Sequence, residues 1–186
     1  METKTRCAWC EKDDLYRDYH DNEWGNPVYD DQKLFEFLIL ETFQAGVSWH
    51  LILKKREHFR KAFLNFDYHQ IAFFGDYEVQ ELMKDSGIIR NTLKIKSAIS
   101  NAKAFLKVQE EFGSFSKFIW NYVEGKPIVN HFKTLNEVPA YTPLAEKISK
   151  DLKKRGFKFI GPTTMYAHMQ ATGMVNDHLI QCWKRS

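Results

Sequence analysis

From Asp31 to Thr42 the chain carries a run that is apolar nearly all round. Leu34, Phe35, Leu38 and Thr42 follow the i, i+3, i+4 spacing of a helix, and Phe37, Ile39 and Leu40 fill most of the remaining circumference. Asp30 or Asp31 can cap it. Such a helix has no face to offer water, so the pattern predicts that it is central and buried. Six further stretches read as helical: a run from Ser48 carrying Leu51 to Leu53, then Tyr77 to Lys84, Thr92 to Phe105, Ser114 to Tyr122, Pro143 to Lys154 and Thr163 to Ala171. Strand-like alternation is scarce. Glycines 75, 87, 113, 125, 156, 161 and 173 fall between these stretches, where C-caps and tight turns call for positive φ. The expected class is all-α.

With 186 residues, 44% hydrophobic and 27% charged, the chain is expected to form a single compact unit over 1–186, or two helical lobes sharing a core. That composition excludes disorder for its bulk. Glu36 and Glu41 interrupt the longest apolar run well short of the roughly 20 residues of a membrane span. Met1 to Arg6 contain no apolar signal core, so the default address is cytoplasmic.

Three cysteines do not make a disulfide framework. His178 and Cys182 have the i, i+4 spacing of a helical ligand pair, and Cys7 and His20 are candidates to complete a tetrahedral shell. The same spacing also arises without a metal, and Cys10 makes Cys7-x-x-Cys10 a competing pair. Glu41 ends the central helix beside Gln44-Ala45-Gly46. It reads either as a solvated helix-end glutamate or as a buried anion facing a cationic ligand. Aromatic residues are 15% of the chain, with Trp9, Tyr16, Tyr19, Trp24 and Trp49 in its first quarter, as core or as walls for a flat ligand.

Two glycine turns with apolar anchors join helices, at Asp85 to Asn91 and at Arg155 to Pro162. In the second, six basic residues between Glu146 and Lys158 oppose two acidic ones. The start of the following helix would suit a phosphate there; an ordinary turn after a solvated basic helix is the other reading. Lys54-Lys55-Arg56 reads as a solvated face or a DNA contact. Phosphate-loop, zinc-protease and serine-esterase signatures are absent from the sequence.

Several longer words are more specific. Tyr19-His20-Asp21-Asn22-Glu23-Trp24-Gly25, Gln44-Ala45-Gly46-Val47-Ser48-Trp49, Leu53-Lys54-Lys55-Arg56, Ser86-Gly87-Ile88-Ile89-Arg90, Lys153-Lys154-Arg155-Gly156-Phe157-Lys158-Phe159 and Val175-Asn176-Asp177-His178 occur in this order. From about Arg6 to Cys182 the chain closely resembles the 3-methyladenine DNA glycosylase I family. The resemblance implies a helix-hairpin-helix fold, with that motif at about 144–172 and a base pocket between the lobes. It also implies a monomer that hydrolytically releases 3-methyladenine from alkylated double-stranded DNA.

Carried over residue by residue, it implies one structural zinc on Cys7, His20, His178 and Cys182, joining the two ends and leaving Cys10 out. Glu41 and Tyr19 become hydrogen-bonding groups of the base pocket and Trp49 its stacking ring, with Trp9, Tyr16 and Trp24 as further walls. Gln44, Gly46 and Val47 belong to the turn that enters the DNA stack, and Gly156, Lys158 and Gly161 to the hairpin on the phosphate backbone. One departure stands out: Asn176 takes the position at which many helix-hairpin-helix glycosylases carry an aspartate. Asp177 would serve only after a one-residue shift of register. No lysine stands where lyase-competent relatives carry a Schiff-base nucleophile, so a monofunctional hydrolase is expected. A zinc-stabilised module that binds damaged DNA without cutting the glycosidic bond is the alternative.

Overall fold

A computed structural model describes residues 4–185; Met1 to Thr3, part of the stretch inspected for a signal core, and Ser186 lie outside it. The central helix α2 spans Asp31–Gln44, and its residues from Leu34 to Phe43 are buried without interruption. It packs against α3 (Trp49–Ala62), α6 (Thr92–Phe112), α7 (Phe115–Trp120) and α9 (Pro162–Ala171). Asp30 is the cap, accepting from the Lys33 backbone N–H at 2.8 Å. Asp31 is used across the core instead, where its carboxylate accepts from the N–H groups of Phe115 and Ser116 at the start of α7. One side chain thereby satisfies two of the orphan donors of another helix.

The shell is completed by α1 (Asp14–Asn22), α4 (Tyr68–Ile71), α5 (Asp76–Lys84) and α8 (Pro143–Lys154). The stretch from Thr92 runs seven residues beyond the expected Phe105, to Phe112, and stops at Gly113 in the left-handed region. The mixed composition around α1 concealed a helix. The molecule is mostly helical but not purely so: β1 (Ile128–Val129) pairs in parallel with β2 (Val175–Asn176). This two-residue clip carries the segment after α9 back toward the amino-terminal residues. Among the described residues no helix is long and apolar enough to cross a membrane.

Helices α8 and α9 form the helix-hairpin-helix. Thr142 caps α8, with Pro143 at its first position, and Gly156 at φ +97° ends it, the Phe157 N–H returning to the Leu152 carbonyl at 3.1 Å. Three of the seven expected glycines do not use positive φ. Gly75 and Gly161 are N-caps, and Gly87 is required because a Cβ there would lie 2.6 Å from the His58 ring. Gly173, at φ +69°, is needed twice over. Its Cβ would meet the Asn26 backbone at 2.4 Å, where Gly25 and Val28 hydrogen-bond to the Gln170 and Thr172 carbonyls. That backbone contact docks the amino-terminal segment onto α9 and closes one side of the site.

Candidate functional site

A cavity of about 330 Å³ opens between α1, the end of α2, the start of α3 and α9. Trp9, Tyr16, Tyr19, Trp24, Glu41, Gln44 and Trp49 line it together, so every residue assigned to the base pocket from sequence meets there. The Tyr19 and Trp49 rings lie 5.7 Å apart, and Trp9 sits 5.0 Å from both Tyr16 and Trp24 in edge-to-face contacts. Burial, reinforced by the nearby Glu41, pushes the Tyr19 hydroxyl well above its ordinary range, so it remains a neutral donor.

Helix α2 buries two glutamates five residues apart, and their environments are opposite. Glu36 accepts from Arg56 and Arg60 at 2.7 and 2.9 Å. Glu41 is 3% exposed and has no hydrogen-bond partner among the described residues. Desolvation alone pushes its carboxyl up to about 8. A buried carboxyl without a protein partner, among aromatic rings and at the wall of a cavity, is a group waiting for a ligand. The indole Nε1 of Trp49 is likewise buried without an acceptor.

Cys7, His20, His178 and Cys182 converge, all four buried, with their ligand atoms within 4.8 Å of one another. Cys182 Sγ lies 3.4 Å from His20 Nε2 and 3.5 Å from His178 Nδ1, and Cys7 Sγ lies 3.8 Å from His178 Nδ1. In a tetrahedral shell with metal–sulfur bonds of about 2.3 Å and metal–nitrogen bonds of about 2.0 Å, sulfur and nitrogen stand roughly 3.5 Å apart, so the donors fit. Their supports fit as well. His20 Nδ1 is 2.8 Å from Asp21 and His178 Nε2 is 3.1 Å from the Trp24 carbonyl, which leaves the other ring nitrogens for a metal. Burial keeps both imidazoles neutral, His178 down to about 4, and raises the Cys7 thiol to about 12, a proton that a bound cation would displace.

The expected helical pair at His178 and Cys182 is corrected. Residues 177–182 lie outside any helix, in an irregular segment that ends in a turn. The Leu179 N–H faces Cys7 Sγ at 3.5 Å, while the Asn176 side chain accepts from the His178 N–H. Helical winding would withdraw both contacts. Cys10 stays outside the cluster, its thiol 3.1 Å from the Cys7 carbonyl. The aromatic wall and the cluster are continuous, since Trp24 lies 4.7 Å from the His178 ring and Trp9 lies 5.3 Å from His20.

Beyond Gln44 the chain makes a type II turn. Ala45 has φ −54° and ψ 117°, Gly46 has φ +87°, and the Val47 N–H returns to the Gln44 carbonyl at 2.8 Å. Ala45 and Gly46 are its exposed tip, Val47 being half-buried. In the hairpin, Gly156, Lys158 and Gly161 are away from the cavity lining. Part of the local positive charge is already paired, Arg155 with Glu111 and Lys150 with Glu146. The Lys54-Lys55-Arg56 run is divided: Lys54 is exposed, Lys55 donates to the Ser86 carbonyl, and Arg56 is buried against Glu23 and Glu36.

Sequence reasoning missed Leu135, Val138, Thr163, Ala167 and Gln170 on the cavity wall. It also left Asp177 conditional, whereas this residue, rather than Asn176, lines the cavity. Its carboxylate accepts from Asn130, Tyr166 and Gln170 at 2.6–2.8 Å. The amide-then-acid pair Asn176-Asp177 was the local signal.

The fold and site together define a helix-hairpin-helix protein with an aromatic-walled cavity, an unpartnered carboxyl within it and a cysteine–histidine cluster behind it. The chain belongs to the methyladenine glycosylase family, whose pattern matches residues 9–185. It is 49% identical over 178 residues to the DNA-3-methyladenine glycosylase of Haemophilus influenzae, covering 96% of each chain. It is 47% identical over 177 residues to DNA-3-methyladenine glycosylase 1 of Escherichia coli, covering 95% of each. Among solved structures, 3-methyladenine DNA glycosylase I of Staphylococcus aureus, described for its recognition of 3-methyladenine, superposes with a TM-score of 0.94 at 38% identity. That match covers 97% of this chain and 96% of the other.

Proposed function

We propose that this chain excises 3-methyladenine from alkylated double-stranded DNA by hydrolysing the glycosidic bond of a flipped nucleotide. The observation that carries the reading is Glu41, a buried carboxyl without a protein partner in an aromatic pocket. Methylation at N3 gives the base in DNA a positive charge. Stacking on Trp49 and Tyr19 and attraction to Glu41 both favour that cation over neutral adenine. An alkylated base also costs less to extrude, its pairing being impaired.

The chemistry follows from the charge. The C1′–N9 bond breaks with its electron pair leaving on the base, which becomes neutral. Water adds to C1′ and loses a proton to solvent. Asp177 contributes a fixed negative group at the cavity wall. Its oxygens are held by three donors, which suits electrostatic support of the cationic sugar better than proton abstraction. No lysine lines the cavity among the described residues, which supports hydrolysis without strand cleavage.

The two-sulfur, two-nitrogen donor set favours zinc. A bound ion would be held by Cys7, His20, His178 and Cys182, and with four protein ligands it supplies structure rather than a water nucleophile. The turn at Gln44, Gly46 and Val47 is the element that enters the DNA stack, and the hairpin with Gly156, Lys158 and Gly161 meets the phosphates. Incubation with methylated duplex DNA, followed by chromatography of the released bases, tests the reading: free 3-methyladenine is expected. Binding of DNA without base release would make the protein a damage-binding module instead.

A further inference from the structure

Helix α6 carries a buried polar stripe that its apolar surroundings do not call for. Lys94, Ser97 and Asn101 are 6%, 3% and 0% exposed and, at i, i+3 and i+7, share one face. Polar groups at such positions cost stability unless bonded. Ser97 is satisfied by its own helix, at the Lys94 carbonyl. The other two reach across the molecule, in each case to main-chain atoms.

Lys94 Nζ donates to the Phe43 carbonyl at 2.9 Å and to the Ala45 carbonyl at 2.5 Å. It thus closes the carboxyl end of α2, where the helix dipole favours a cation, and at the same time grips the first central residue of the Gln44–Val47 turn. Burial lowers the Lys94 ammonium below its usual range, so this position has an energetic cost. Asn101 makes a two-point clamp on the backbone of one residue, Lys158. Its Oδ1 accepts from the Lys158 N–H at 2.7 Å and its Nδ2 donates to the Lys158 carbonyl at 3.1 Å. Ser149 Oγ holds the Ile160 carbonyl at 2.6 Å.

Between these anchors Phe159 is forced to φ +55°, a conformation that bulky residues avoid. With the Lys158 and Ile160 carbonyls drawn inward, the N–H groups of Phe159, Ile160 and Gly161 have no acceptor among the described residues. The hairpin is therefore preset as a row of donors at the start of α9.

We infer that Lys94 and Asn101 are positioning residues that hold the Gln44–Val47 turn and the Lys158–Gly161 hairpin in one register on α6, so that the two elements engage the duplex as a rigid pair. Seven residues of helix set the two anchors about 10 Å apart along the axis. The inference rests on reading turn and hairpin as DNA contacts. It assigns neither residue a place against the base, and neither lines the cavity.

The test compares wild type, K94M, N101A and the double variant in three measurements: affinity for free 3-methyladenine, affinity for a duplex containing an abasic-site analogue, and release of 3-methyladenine from methylated duplex. Each single variant is expected to lose about tenfold in duplex affinity and in kcat/KM for release, with free-base affinity within about twofold of wild type. The double variant should lose clearly less than the product of the two single losses, because either change already frees the register. K94R, which can still donate to both carbonyls, should recover most of the loss. Should K94M or N101A fail to fold, K94Q and N101S are expected to lose about fivefold in duplex affinity with the same sparing of free base. Duplex affinity and release at wild-type levels, or free-base affinity falling in parallel with them, would overturn the inference. A wild-type protein that releases no base would overturn the glycosylase reading instead, and duplex affinity alone would then decide the roles of Lys94 and Asn101.

Discussion

Glu41 and Glu36 occupy the same buried helix, yet only one is neutralised by the protein. For Glu41 the folded-state value near 8 lies above the ordinary carboxylate value of 4.5. The native state therefore binds more protons than the unfolded chain between those values, and stability falls as pH rises through that window. Glu41→Gln removes the penalty. Its stability advantage over wild type should grow from pH 5 to pH 9 and reach about 1–3 kcal/mol, as read by denaturant melts at both pH values. The same variant should release 3-methyladenine from DNA at least tenfold more slowly, since hydrogen bonding partly survives and charge attraction does not. A variant that gained nothing in stability at pH 9 would place the carboxyl in water. The opposite pH trend for lesion capture follows, because ionised Glu41 is the form that attracts a cation.

At the scale of elements, the amino-terminal segment and the end of α9 meet through a backbone contact that tolerates no bulk. Gly173→Ala would place a methyl group 2.4 Å from the Asn26 backbone at a φ of +69°. The expected cost is roughly 2–4 kcal/mol in thermal or chemical melts, with weaker base binding as the wall bearing Trp24 retreats. Helices with clear periodicity and caps were legible from residues alone: α8 runs from Pro143 to Lys154 as expected, and α2 and α9 differ from expectation by one or two residues at an end. Helix α1 was not, because its inward face, Tyr16, Tyr19 and His20, serves the pocket and the cluster rather than a plain apolar core. The β1–β2 clip was hidden because two residues pair with two others 47 positions away, and no local pattern marks them. The four cluster residues were legible as candidates but the turn that carries two of them was not, since the Leu179 N–H in 177–182 faces Cys7, at the other end of the sequence. Asp177 stayed ambiguous for the same reason: its three donors come from residues 130, 166 and 170.

For the whole molecule, a net charge of +3 understates the asymmetry that matters. Hairpin cations such as Arg155 and Lys150 are paired on the surface, where such pairs are worth about 0–1 kcal/mol and yield readily to phosphate. With two to four phosphates contacted, the plot of log affinity for duplex against log salt should have a slope of about −2 to −4, and Lys158→Ala should reduce it by about 1. Affinity for free 3-methyladenine should not move with salt, so titrations of both ligands separate the hairpin from the pocket. A metal held by the cysteine–histidine cluster would support the pocket from behind. A strong chelator is expected to lower the melting temperature by more than about 5 °C, and to weaken base binding because Trp9 and Trp24 rest on the cluster residues His20 and His178.

An ion held by the cluster would also set an order of assembly. Cys7 and His20 alone offer an ion two donors, and the others arrive from residues 178 and 182. Tight capture would therefore wait until the two ends of the fold had found each other, as a buckle closes only on a belt already wrapped. A chain misfolded anywhere between leaves the buckle open and the aromatic wall slack, so that only a correctly finished molecule can grip a lesion.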